Sequence, residues 1–195
     1  EITASQSLTT DEAVINSGTG SVNIVLTSTD DGGNDDDLTI NDRVALTNAS
    51  ATGDVTLNAG NDLVFTDSGS ANDVQNAGSG QIVANVARDL SVGEDVDVVT
   101  TGGMIDLNVG RNASLGANAS VSSSGGAIDL AVSGSVSLGT NASISSGAAT
   151  IVISGSTDLS LADQASITAT NQLVTINTDE ISISTSAGNE ATISS

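Results

Sequence analysis

A shift of 23 residues lays the chain on itself. It carries Ile105-Asp106-Leu107 onto Ile128-Asp129-Leu130 and then onto Ile151-Val152-Ile153. The same shift takes Leu115 to Leu138 and Leu161, and Val121 to Ile144 and Ile167. Backwards, it takes Ile105 to Ile82 and Val109 to Val86. A period of this size marks stacked units, each too small to bury its apolar face alone. One unit reads G-x-I-x-L-x-V, a turn, V-x-L-G, a second turn, then A-S-I-S-S before the next Gly. Four successive units, over residues 80–170, keep this register without a gap.

Apolar and polar residues alternate within each unit, the period-2 signature of strands with one buried face. Three such runs occur per unit, joined by short turns of Gly, Asn, Ser and Asp. No stretch has apolar residues at i, i+3, i+4 and i+7, so a helical reading fails. The expectation is an all-β, right-handed parallel β-helix (a β-solenoid) with three short strands per coil, its hand following the crossover rule. About seven coils, roughly 4.8 Å apart, give a rod of about 34 Å.

The period loosens outside the regular block. Val55-Thr56-Leu57 matches Ile82-Val83-Ala84 at a shift of 27, and Val22-Asn23-Ile24 precedes Val55 by 33. The extra residues fall in polar stretches, 30–37 and 67–73, where a loop swells without disturbing a strand. The whole chain, 1–195, reads as one solenoid: irregular coils with acidic insertions over 1–79, regular coils over 80–170, and a terminal coil over 171–195.

Equivalent positions form columns along such a rod. Ile105, Leu107, Ile128, Leu130, Leu138, Ile144, Ile151 and Ile153 point inward; Asp106, Asp129 and Ser137 point outward. Ser91, Ser114, Ser137 and Ser160 make one column, and Gly93, Gly116 and Gly139 another, read as a repeated tight bend. Asp95, Asn118, Asn141 and Gln164 make a third, in a turn, whose stacked side chains bond from coil to coil.

Composition agrees with a narrow aliphatic interior. The chain has one Phe (Phe65), one Met (Met104), no Trp or Tyr, and no Pro, which cannot donate to a β ladder. Against 24 acids stand only Arg43, Arg88 and Arg111, giving a net charge of −21. No basic patch exists to neutralise phosphates, which argues against nucleic acid and anionic membrane surfaces as partners. There are no cysteines, so neither disulfides nor thiolate metal sites hold the fold. No segment has the apolar length of a membrane span, so membrane insertion is not expected. The first residue is Glu1 rather than Met, and the chain reads as a mature or excised piece of something longer.

Gly103-Met104-Ile105-Asp106-Leu107-Asn108-Val109-Gly110-Arg111-Asn112 and Gly53-Asp54-Val55-Thr56-Leu57-Asn58-Ala59-Gly60-Asn61-Asp62-Leu63 resemble the repeats of filamentous haemagglutinin-like exoproteins. These are large secreted adhesins of the two-partner secretion type, with right-handed β-helical shafts. The resemblance spans residues 20–170. It implies an extracellular or cell-surface location and a shaft that holds binding regions away from the cell. The amino-terminal secretion domain typical of that family is not among these residues.

For catalysis only carboxylates, hydroxyls and three Arg are available. β-Helical polysaccharide hydrolases and lyases use clustered Asp and aromatic sugar platforms; such platforms are missing, and Phe65 sits at an inward position. The expected role is therefore non-catalytic, a shaft or filament segment of an adhesin-like protein. Its expected partners are itself end to end, flanking coils of the same polypeptide, or cell-surface glycans and proteins. The alternatives are a calcium-dependent extracellular matrix or filament protein and a polysaccharide-active β-helix enzyme. No cofactor is expected unless it is Ca²⁺. Two places carry candidate metal ligands: Asp35, Asp36 and Asp37, in a loop dense in hard oxygen ligands, and Asp106 with Asp129, in one outward column. Ordinary solvated acids are the competing reading at both. Arg88 and Arg111 stack likewise, with Asp89 beside the first. N-A-S sequons at Asn48, Asn112, Asn118 and Asn141 are candidate glycosylation sites in a secreted protein, or by-products of the repeat.

Overall fold

The computed structural model describes residues 1–33, 36–67, 69, 72–186 and 188–195. Over these the chain is all-β, a β-solenoid of eight stacked coils with no helix. The first coil holds β1 (Ile2–Ala4), β2 (Leu8–Thr10) and β3 (Val14–Asn16); the second holds β4 (Ile24–Ser28), β5 (Leu38–Ile40) and β6 (Val44–Leu46). The third comprises β7 (Val55–Ala59), β8 (Leu63–Phe65) and β9 (Val74–Asn76), and the fourth β10 (Ile82–Val86), β11 (Leu90–Val92) and β12 (Asp97–Thr100). Next come β13 (Ile105–Val109), β14 (Ala113–Leu115) and β15 (Ser120–Ser123), then β16 (Ile128–Val132), β17 (Val136–Leu138) and β18 (Ser143–Ser146). In the last two coils the first and second strands merge: β19 (Ile151–Leu161) with β20 (Ser166–Ala169), and β21 (Val174–Ile183) with β22 (Thr192–Ser194).

Strands pair in parallel with their counterparts in the next coil, as Ile105 with Ile128 and Leu107 with Leu130. First and second strands share one sheet, joined through β19, and third strands form another. At the usual strand spacing, eight coils make a rod of about 38 Å. Alternation does what it dictates: all eight residues expected inward are at most 3% exposed, and Phe65 is 2% exposed.

Two details differ from the sequence reading. Ile24, not Val22, pairs with Val55, so the shift there is 31 rather than 33. The coil count is eight rather than seven because the first coil has no single period. Ile2 lies on Leu26, a shift of 24, whereas Leu8 lies on Leu38, a shift of 30.

One corner shows why the unit begins with Gly. A Cβ on Gly80, Gly103 or Gly126 would come within 1.8, 1.7 and 2.0 Å of the carbonyl oxygen one coil below. Beside this corner runs a buried polar column whose side chains donate to glycine carbonyls of the corner. Asn76 Nδ2 donates to Gly53 O (3.0 Å), Thr100 Oγ1 to Gly103 O (2.7 Å) and Ser146 Oγ to Gly126 O (3.1 Å). Each buried polar group is thus paired within the corner.

Candidate functional site

Asp106 and Asp129 stand opposite each other on β13 and β16, on the outer face. Val83 and Val152 occupy the same column on either side. The Asp129 carboxyl is pushed above its ordinary range, first by desolvation and then by the Asp106 charge. Its Oδ1 is covered and has no hydrogen-bond partner, while Asp106 Oδ1 accepts from Asn108 Nδ2 at 3.1 Å. Two carboxylates fall short of the six to eight oxygens that Ca²⁺ takes.

In the acidic loop, Asp35 lies outside the described residues. Asp36 is fully buried; its carboxylate accepts the Asp31 N–H (3.3 Å), and its carbonyl accepts Ser28 Oγ (2.9 Å) and the Asn61 N–H (3.0 Å). The Asp37 carboxylate accepts Asn61 Nδ2 (2.8 Å) and the Asp62 N–H (3.1 Å). Asp36 and Asp37 thus bind the loop to the coil that follows. The loop links β4 to β5, whereas Asp106 and Asp129 sit on β13 and β16, so the candidate ligands form two places and not one. Among the described residues no group of three or more His, Cys, Asp or Glu converges on a metal position.

Asp37 opens a ladder that sequence reasoning missed. The Asp62 carboxylate accepts the Asp89 N–H (3.0 Å), the Asp89 carboxylate the Asn112 N–H (3.1 Å), and Asn112 Oδ1 the Ser135 N–H (3.0 Å). Asp89 also pairs with Arg111 of the next coil rather than with its sequence neighbour Arg88, and this pairing holds its carboxyl down at about 2. Arg88 instead donates to Asn61 Oδ1 at 2.8 Å and lies 3.9 Å from Asp62.

The expected turn ladder is present from Asp95 to Asn141, while Gln164 Nε2 donates instead to Asn189 Oδ1 at 3.0 Å. Asn118 Nδ2 donates to Asp95 Oδ1 (2.9 Å) and Asn141 Nδ2 to Asn118 Oδ1 (3.1 Å). The left-handed conformation belongs to this column, with φ of 58–60° at Asp95, Asn118, Asn141 and Gln164. The glycine column opens the same repeated tight turn, Gly116 O accepting the Ala119 N–H (3.3 Å) and Gly139 O the Ala142 N–H (3.0 Å), while the left-handed residue sits two positions further on. Gly116 is small because a Cβ there would meet the Glu94 nitrogen at 2.7 Å. Asn112, Asn118 and Asn141 are exposed sequon residues, yet each amide is engaged in a ladder. Asn48 Nδ2 donates to Ser17 O at 3.1 Å.

A shallow trough of about 680 Å³ runs along the corner after the first strands. Asn58, Asn85 and Asn108 form one wall and Val86, Val109 and Val132 the floor; none of its lining residues is charged. The wall is itself a ladder, Asn85 Nδ2 donating to Asn58 Oδ1 at 2.9 Å. No described helix is long and apolar enough to cross a membrane. Comparison with known protein families, curated proteins and solved structures gives no match.

Proposed function

We propose that this chain is a non-catalytic structural shaft, a segment of an extracellular or cell-surface adhesin-like protein. The observation that supports it is the use of the polar side chains. The acids and amides best placed for chemistry, Asp37, Asp62, Asp89 and Asn112, each accept a backbone N–H from the next coil. Groups committed in this way tie each coil to the next and stiffen a rod. The resemblance of residues 53–63 and 103–112 to haemagglutinin-like repeats supports the surface location.

The test is immunogold labelling of intact and permeabilised cells of the source organism with antibody raised against the folded rod. Label on intact cells, lost after brief external proteolysis, is the expected outcome. Label only after permeabilisation overturns the surface reading.

A further inference from the structure

The trough along the corner after the first strands touches six successive coils, from Ser28 in the second to Gly155 in the seventh. Five coil spacings make it about 24 Å long. Neither terminal coil contributes a lining residue. In a molecule with 24 acids and a net charge of −21, no residue of this lining is charged. Beyond the valine floor stand Ala87, Gly110 and Ser133, which are small and exposed.

The amide wall has hydrogen-bonding capacity left over. Asn58 Nδ2 donates to Thr27 Oγ1 (3.1 Å), Asn85 Nδ2 to Asn58 Oδ1 (2.9 Å) and Asn108 Nδ2 to Asn85 Oδ1 (3.3 Å). A side-chain amide offers two donors and two acceptor sites. Asn58 and Asn85 therefore each keep one N–H and one lone pair after bonding along the column. Asn108 gives its second N–H to Asp106 Oδ1 (3.1 Å) and keeps its own oxygen free to accept. The wall can thus both donate and accept, at intervals of about 4.8 Å.

We propose that the trough binds a neutral, linear polysaccharide lying along the rod. Charge argues against ionic ligands. An anionic chain meets no Arg in the lining and a strongly negative molecule around it, and a cation meets no carboxylate there. An extended peptide fits badly, since its same-face side chains repeat at about 6.8 Å against about 4.8 Å for the coils. Moreover, β10, β13 and β16 are paired on both sides, so no strand edge is open to it. An acyl chain would cover the floor, but it would strip water from the amides and return no hydrogen bond. A sugar ring meets both demands. Its C–H faces suit the aliphatic floor, and its hydroxyls donate and accept as the amides do. An extended chain of equatorially linked pyranoses advances by close to one coil per ring, so about five rings fill the trough. The proposal gives the shaft a ligand of its own and takes its extracellular setting from the shaft reading.

The test is titration of the isotope-labelled rod with cellohexaose, mannohexaose and chitohexaose, following the side-chain amide signals of Asn58, Asn85 and Asn108 by NMR. At least one hexasaccharide should shift these signals saturably, and more tightly than its disaccharide. Asn85→Ala should weaken that binding about fivefold, the loss of roughly one hydrogen bond. Ala87→Arg, which fills the trough without touching the amide column, should abolish it. Both positions are exposed, and the backbone spectrum reports whether each variant keeps the fold. Ser137→Ala, on the outward face of β17 and outside the trough, should bind as the parent does. No saturable shift with any of the three sugars overturns the proposal. Undiminished binding to a folded Ala87→Arg rod overturns it too, as do the same shifts with oligogalacturonate or laurate. None of these results touches the shaft reading, which the surface labelling decides.

Discussion

From β10 to β19 each first strand lies 23 residues beyond the one it pairs with, whereas β7 lies 31 beyond β4 and β10 lies 27 beyond β7. The interior does not register this difference. Leu26 and Leu57 in the irregular part share a column with Ala84, Leu107 and Leu130 in the regular part, and all five are at most 3% exposed. Extra residues enter at turns, where the chain faces solvent and a longer loop adds only slowly growing closure entropy. The period is thus a property of the turns, and the fold is a property of the columns.

The largest effect should come from putting a charge into a column. Ile128→Asp places a carboxylate in a layer that excludes water and should cost several kcal/mol. The same substitution at Ile183, 53% exposed in the terminal coil, should leave the melting temperature of the monomer nearly unchanged. Thermal unfolding at low salt compares them directly. Similar melting of both variants would mean that interior and end coils do not differ as the register requires.

A second comparison sets the regular and irregular parts against each other at one corner. A Cβ on Gly103 meets Gly80 O at 1.7 Å, and one on Gly53 meets Val22 O at 2.0 Å. Gly103→Ala and Gly53→Ala should therefore each cost about 1–3 kcal/mol, the usual range for overpacking. Urea denaturation measures both. A tolerated Gly53→Ala beside a damaging Gly103→Ala would show that the early coils are looser than the later ones.

The smallest effects are in pH dependence. Asp89 has a carboxyl held down to about 2, so the stability it contributes is present above its ordinary 3.8 and is lost as pH falls from there toward 2. Asp129 runs the other way. Its carboxyl is raised, so stability is lost as pH rises through the folded value, and at neutral pH the ionised group is a burden. Asp129→Asn should stabilise slightly at pH 7 with no gain in acid, and Asp89→Asn should flatten the acid limb of the melting curve. Opposite signs from these two variants would remove the electrostatic account of both sites.

Three strands per coil, the inward columns and the pairing of Asp106 with Asp129 were legible because each is a consequence of a fixed shift. What was not legible depends on shifts that vary. The Asp37–Asp62–Asp89–Asn112 ladder steps by 25, 27 and then 23 residues, so no single offset aligns it. The pair of Asp89 with Arg111 was not legible either, since it joins residues that are neighbours only across two coils. Burial of Asp36 was hidden because a loop residue has no column to predict its direction. The inward hydroxyls of Thr100, Ser123 and Ser146 donate to carbonyls at the corner, a pairing that alternation alone does not assign, because an inward position by that pattern calls for an apolar side chain.

The one-to-one register of the regular block also bears on how such a gene can change. Within residues 80–170 every coil meets its neighbours through the same positions, so an in-frame duplication of 23 codons reproduces contacts already present on both sides. Such an event lengthens the rod by about 4.8 Å and requires no compensating mutation. A duplication in the same block whose length is not a whole multiple of 23 codons puts the Asp95–Asn118–Asn141 amide stack and the glycine corner out of register together. Recombination between repeats is therefore filtered by geometry, and the length of the molecule can drift in whole coils while its cross-section stays fixed.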